Sequence, residues 1–120
     1  MGKKILLIDD EPALSRSLSV LLEKQGFEII VAEDGLSGLE YARSLNPDLI
    51  LLDLMLPKLD GHKVCQLLKA DSRYRGIPIV MWSASGTQED KDWAKKVGAD
   101  GFIEKGAPID DTLNVIKALL

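Results

Sequence analysis

The sequence predicts an α/β protein, a single parallel sheet of five strands doubly wound by five helices. Three observations carry this. Short apolar runs recur along the chain, each bounded by polar residues, glycine or proline, as strands buried on both faces do. Between them lie longer segments whose apolar residues return at helical spacing. Strand and helix alternate throughout, which calls for right-handed crossovers between parallel strands.

The elements follow in order. Ile5-Leu6-Leu7-Ile8, entered through Lys3-Lys4, is the first strand and runs into Asp9-Asp10. Glu11 to Gln25 is a helix with Leu14, Leu18, Leu21 and Leu22 on one face, closed by Gly26. Phe27 to Ala32 is the second strand, rich in β-branched residues. Gly35 to Leu45 is a helix with Leu36, Leu39 and Ala42 inward, stopped by Asn46-Pro47. Asp48 to Asp53 is the third strand. The loop Leu56-Pro57-Lys58-Leu59-Asp60-Gly61 follows, where Gly61 suits a positive φ. His62 to Ala70 is a helix burying Val64, Leu67 and Leu68. Ile77 to Trp82 is the fourth strand, with Pro78 near its start where a missing donor is tolerated. Thr87 to Val97 is a more polar helix ending at Gly98, and Gly101 to Glu104 is a short fifth strand. Ile109 to Leu120 is the last helix, with Ile109, Leu113, Ile116 and Leu120 on one stripe.

Composition narrows the function. At 120 residues, 46% hydrophobic and 28% charged, the chain reads as one folded domain over residues 1–120, without linker or repeat. A net charge of −4 argues against direct binding of nucleic acid or an anionic membrane. The lone cysteine, Cys65, allows no internal disulfide, which with the absence of a signal peptide or membrane-length apolar run fits a cytoplasmic protein. Met1-Gly2 opens like a myristoylation signal, but Leu6 stands where Ser or Thr is required.

Open α/β sheets bind ligands at the carboxyl ends of their strands. If the first and third strands are neighbours, Asp9, Asp10 and Asp53 converge there. Carboxylates so close repel one another, and a hard cation with oxygen ligands, Mg²⁺ above all, relieves the repulsion. An Asp before Glu11-Pro12 is also a good helix cap, but two adjacent acids exceed what a cap needs. Ser83 ends the fourth strand and Lys105 follows the fifth. Taken singly, each reads as an ordinary turn hydroxyl and a solvated lysine. Together the strand ends supply a carboxylate nucleophile, a metal site and two groups for phosphoryl oxygens. No phosphate-cradling glycine loop or dinucleotide fingerprint is present, which counts against a nucleotide hydrolase.

In this order and at these positions, Asp9-Asp10, Asp53-Leu54-Met55-Leu56-Pro57 with Asp60-Gly61, Ser83-Ala84 and Lys105 resemble the receiver domain of two-component response regulators. The resemblance spans essentially the whole chain. It implies a flavodoxin-like (βα)5 fold with strand order 2-1-3-4-5. It implies that Asp53 is the phosphoacceptor, taking a phosphoryl group from a histidine kinase or histidine phosphotransfer protein. Asp10, Asp53 and the Met55 backbone carbonyl would hold Mg²⁺, with Asp9 acting largely through water. Lys105 would pair with a phosphoryl oxygen, Ser83 would move toward the phosphoryl group, and Phe102 would turn inward as the aromatic switch. The small Ala84 leaves room for the donor, and Met55 and Ser85 flank the path of attacking water. The output would be a downstream protein or fused output domain, or phosphorylation-dependent homodimerisation, through the face of helix four, strand five and helix five. Such a protein turns over no separate metabolite and catalyses its own phosphotransfer and dephosphorylation.

Two positions depart from the pattern. Lys105 is followed by Gly106 where the family usually has a cis proline, and a cis bond before a non-proline residue costs about 2.5–4 kcal/mol, so a trans bond and a reshaped loop are expected. Phe102 lacks a tyrosine hydroxyl, so packing alone must hold it inward. Among the remaining residues, Trp82 reads as core, Trp93 on a polar helix as a partner contact, His62 as a surface residue, and Cys65 as a small core or boundary residue. The alternative function is a phosphorylation-independent pseudo-receiver that acts as a protein-binding module.

Overall fold

The computed structural model describes residues 2–120. The elements alternate as β1 (Lys4–Ile8), α1 (Pro12–Lys24), β2 (Glu28–Ala32), α2 (Gly35–Leu45), β3 (Leu49–Asp53), α3 (Gly61–Ala70), β4 (Ile79–Ser83), α4 (Gln88–Lys96), β5 (Gly101–Glu104) and α5 (Ile109–Leu119). The strands form one parallel sheet in the order β2-β1-β3-β4-β5. This is the predicted topology. β3 and β4 are buried along their whole length, as is β1 after its first residue. Their runs are continuously apolar because both faces are covered.

Alternation along each strand divides the core into two layers. Leu6, Ile8, Ile50, Leu52, Ile79 and Met81 pack with Leu39 and Ala42 of α2, Val64, Cys65 and Leu68 of α3, and Ala94 of α4. Ile5, Leu7, Leu49, Leu51, Val80, Trp82 and Ile103 pack with Leu18 and Leu22 of α1 and Leu113 and Ile116 of α5. Each such leucine or isoleucine stabilises the fold by roughly 1.5–3 kcal/mol relative to an exposed one.

The helix faces differ in detail from the sequence expectation. In α1 the buried stripe is Ser15, Leu18, Ser19 and Leu22, while Leu14 and Leu21 are exposed. Small serines let the helix lie close to the sheet, and the leucines one position away turn outward. In α2 the buried positions are Gly35, Gly38, Leu39 and Ala42, and Leu36 is exposed. A side chain at Gly38 would run into Ile8, so this helix rests directly on β1. In α3 Leu67 is only half-buried and Cys65 takes the interior position, and in α5 Leu120 is exposed. Asp34, Asp60 and Thr87 cap α2, α3 and α4 by accepting the amides of Ser37, Lys63 and Asp90.

The loop after β3 also differs. Its left-handed residue is Lys58, with φ 67°, and Gly61 is not in that region. Gly61 is needed for close approach instead. A Cβ there would collide with the Asp53 carbonyl and lie 2.9 Å from the Leu54 Cα. The Gly61 amide donates to the Leu54 carbonyl at 3.1 Å, which closes the loop on itself.

Candidate functional site

Parallel strands of matched register deliver their carboxyl ends to one rim of the sheet. Ile8 pairs with Leu52, and Asp53 pairs with Trp82, so Asp9, Asp53 and Ser83 emerge side by side. The Lys105 amide donates to the Ser83 carbonyl at 2.7 Å, bringing the end of β5 to the same place. The Lys105–Gly106 peptide is trans, as expected.

Lys105 organises the rim. Its side chain is 5% exposed, and its Nζ lies 2.9 Å from Asp53 Oδ2, 2.7 Å from Glu11 Oε1 and 3.2 Å from Asp9 Oδ2. The same ammonium sits 5.0 Å from the centroid of the buried Trp82 ring. Burial alone would lower the lysine's pKa. The hydrogen bonds to Glu11 and Asp53, with the charges of Asp53 and Asp9, outweigh that and raise it. Lys105 is therefore a fixed cation.

Asp53 is 3% exposed. Its Oδ1 accepts the Met55 amide at 3.0 Å and its Oδ2 accepts Lys105. Asp9 is equally buried; its Oδ1 accepts the Glu11 amide at 2.9 Å. Burial pushes the Asp9 carboxyl up to about 6. The Glu11 amide and Lys105 oppose that rise, and the Asp53 charge adds to it. Asp10 and Glu11 are exposed beside them. Neither Asp9 nor Asp10 caps α1 in the usual sense, because the N-cap residue is Glu11 and makes no side-chain cap bond.

Oxygens of Asp9, Asp10, Glu11 and Asp53 lie within 4.8 Å of one another. Asp9 Oδ2 is buried and accepts no hydrogen bond, although Lys105 is near. A compact set of carboxylates with one unsatisfied buried oxygen fits a hard divalent cation. Ser83 is buried, and its Oγ accepts the Ser85 amide at 3.2 Å. Phe102 is half-buried against the layer formed with α2, α3 and α4. Met55 lies at the rim with its side chain 80% exposed.

A cavity of about 460 Å³ is lined by Asp10, Glu11, Asp53, Met55, Ser83, Lys105 and, less expectedly, His62 and Asp90, while Asp9 and Phe102 lie off its wall. Two participants escaped the sequence reading. Glu11 holds Lys105, and its signal was a third consecutive acid before Pro12. His62 is half-buried on the cavity wall, its ring 5.0 Å from that of Trp93, which corrects its reading as a surface residue. Trp93 is 51% exposed and Trp82 is core, as expected; Cys65 is wholly buried.

Comparison with known proteins agrees with this architecture. The family model described as "Response regulator receiver domain" matches residues 5–117. The DNA-binding dual master transcriptional regulator RpaA of Synechocystis sp. is 44% identical over 98% of this chain and 48% of its own length. The DNA-binding response regulator MtrA of Mycolicibacterium smegmatis is 43% identical over 88% of this chain and 45% of its own length. The chain thus spans about half the length of these two curated relatives. Among solved structures, chemotaxis protein CheY4 of Vibrio cholerae superposes with a TM-score of 0.92 at 28% identity, covering 100% of both chains. A doubly wound sheet, acids at the ends of its first and third strands and a match over nearly the full length lead to one assignment: the chain belongs to the response regulator receiver domain family.

Proposed function

We propose that this protein, a single receiver domain over residues 1–120, is a signalling switch set by phosphorylation of Asp53. The donor is a phosphohistidine on a histidine kinase or histidine phosphotransfer protein. An Asp53 carboxylate oxygen attacks phosphorus, the phosphorus–nitrogen bond breaks, and the electron pair stays on the donor imidazole, which takes up a proton. Asp10, Asp53 and the Met55 backbone carbonyl would hold Mg²⁺, with Asp9 contributing through water. That ion would screen the negative charge of nucleophile and phosphoryl group as they approach.

The protein's own groups do the rest. Lys105, held by Asp9, Glu11 and Asp53, neutralises a phosphoryl oxygen. The Ser83 hydroxyl gives up the Ser85 amide and turns to another. Phosphorylation adds acceptor oxygens and about −1.5 to −2 of charge in a confined cavity, so these residues gain interactions that the resting state lacks. Their differential binding shifts the equilibrium of the face made by α4, β5 and α5, with Phe102 moving further inward. Moving from mostly off to mostly on takes roughly 5 kcal/mol, of which two charge-assisted hydrogen bonds supply a large share. Water then attacks the acyl phosphate and resets the switch.

The observation that carries this reading is the buried Asp53 carboxylate bound to the fixed Lys105 ammonium inside an acidic cluster. RpaA and MtrA are named as DNA-binding regulators. The output here is a protein contact, made with a separate protein, a fused output domain or a second copy, and not direct nucleic-acid binding by this domain. A binding module indifferent to phosphorylation would have no use for this complete set of groups.

The test is the intact mass after incubation with acetyl phosphate and Mg²⁺, beside Asp53→Asn. A gain of about 80 Da, lost without Mg²⁺ and lost in the variant, is expected. No adduct under rapid quench would overturn the proposal in favour of the pseudo-receiver.

A further inference from the structure

His62 is the chain's one histidine, and it stands between two cavities. It lines the phosphoacceptor cavity with Asp53, Ser83, Asp90 and Lys105. It also lines a groove between α3 and α4 with Lys63, Trp93 and Lys96. Its ring packs against Trp93 at 5.0 Å with the planes 56° apart. Its backbone is fixed, because it follows Gly61, whose amide is tied to Leu54. Its Nε2 is buried and has no hydrogen-bond partner among the described residues. An unsatisfied buried nitrogen in a native fold calls for an explanation.

We propose that His62 is a positioning residue of the switch: it takes a proton from solvent when Asp53 carries a phosphoryl group, and through its ring contact passes that change to Trp93 and α4. The inference rests on the reading of Asp53 as phosphoacceptor.

The charges around His62 support it. Asp60 and Lys63 flank it on its own helix, Asp90 and Lys96 face it from α4, and Asp10, Glu11, Asp53 and Lys105 share the cavity. In the resting protein, burial holds the imidazole below its ordinary pKa, while Asp60 and Asp90 pull the other way. Imidazole ionisation responds to small changes in its surroundings, so a modest added charge is enough to tip it. Phosphorylation supplies that charge. Lys105 is the other basic side chain lining this cavity, and three carboxylates already engage it. A charged imidazole against the indole alters their contact, and Trp93 lies within α4, part of the proposed output face. Linkage is reciprocal, so mild acid favours the phosphorylated conformation to the same degree that phosphorylation favours the proton.

With a single histidine, the imidazole Cε1–H resonance of the unmodified protein reports His62 alone. Its titration is followed by NMR with Mg²⁺, then with Mg²⁺ and beryllium fluoride as the phosphoryl analogue, whose binding is read separately from fluorine resonances. The expected result is a rise in the His62 pKa of about one unit. Emission of Trp93, isolated by Trp82→Phe, should titrate with the same midpoint. In a His62→Phe background, which keeps a ring against Trp93, that pH dependence should vanish. Bound beryllium fluoride with an unmoved His62 titration overturns the inference and leaves the phosphoacceptor reading standing. Failure of beryllium fluoride to bind, together with no acyl phosphate on Asp53, overturns both.

Discussion

Replacing Lys105 by methionine keeps most of the side chain's volume and removes its charge. The ammonium lies 2.7–3.2 Å from oxygens of Glu11, Asp53 and Asp9, and the lysine and both aspartate side chains are almost wholly buried. Removing one partner from such a cluster leaves buried charge without compensation, a loss of about 3–5 kcal/mol. Protonation of Asp9, whose pKa is already raised to about 6, relieves part of it. The expected destabilisation of the Mg²⁺-free protein is therefore about 3 kcal/mol. Mg²⁺ should restore more stability to Lys105→Met than to the parent, because no resident cation competes for the same oxygens. A ligand at a hundred times its dissociation constant adds about 2.7 kcal/mol, enough to erase most of the deficit. Urea unfolding, followed by tryptophan emission in chelator and in saturating Mg²⁺, measures all four stabilities. Equal stability of the two proteins in chelator would refute the electrostatic account of Lys105. So would a smaller Mg²⁺ gain in the variant.

Three further outcomes are expected. Through its bridging water Mg²⁺ would favour the ionised form of Asp9, so its apparent affinity should climb with pH through about 6 and then level off; calorimetric titration across this range checks it, and a flat profile would contradict it. Leu22→Ala should cost about 2–5 kcal/mol and Leu14→Ala well under 1 kcal/mol, because Leu22 is wholly buried and Leu14 is 38% exposed; denaturant midpoints decide the matter. Cys65 should resist thiol reagents until the protein unfolds, since it is wholly buried and burial pushes its thiol up to about 11. The unfolded thiol ionises near its ordinary 9.0 while the folded one keeps its proton, so this group's contribution to stability should decline as pH rises between those values, visible in alkaline unfolding curves compared with Cys65→Ala.

The strands were legible because a parallel sheet covered on both faces leaves continuous apolar runs, and their ends were legible because polar residues cluster there. Asp9, Asp53, Ser83 and Lys105 follow directly from that rule, since each stands at or just past a strand's carboxyl end. Helix orientation was harder to read. Periodicity picks out leucines, yet α1 and α2 press small residues, Ser15, Ser19, Gly35 and Gly38, against the sheet. Large residues such as Leu14 and Leu36 lie just off that line. Glu11 and His62 were missed for a related reason. Each takes its place through the approach of a second element, β5 for Glu11 and α4 for His62, and no spacing along the chain encodes that approach.

The bond from the Gly61 amide to the Leu54 carbonyl makes a closed ring of the segment after Asp53, with a glycine at its clasp. A ring of fixed circumference cannot absorb an added or missing residue, unlike an open surface loop. Length variation among proteins built on this plan should thus be found at other connections, such as the stretch between α3 and β4. For an engineer seeking a place to graft a peptide or split the chain, residues 54–61 are the wrong address. The loop is exposed at its rim, but its geometry is tied to the backbone of Asp53 and Leu54 rather than to the surface.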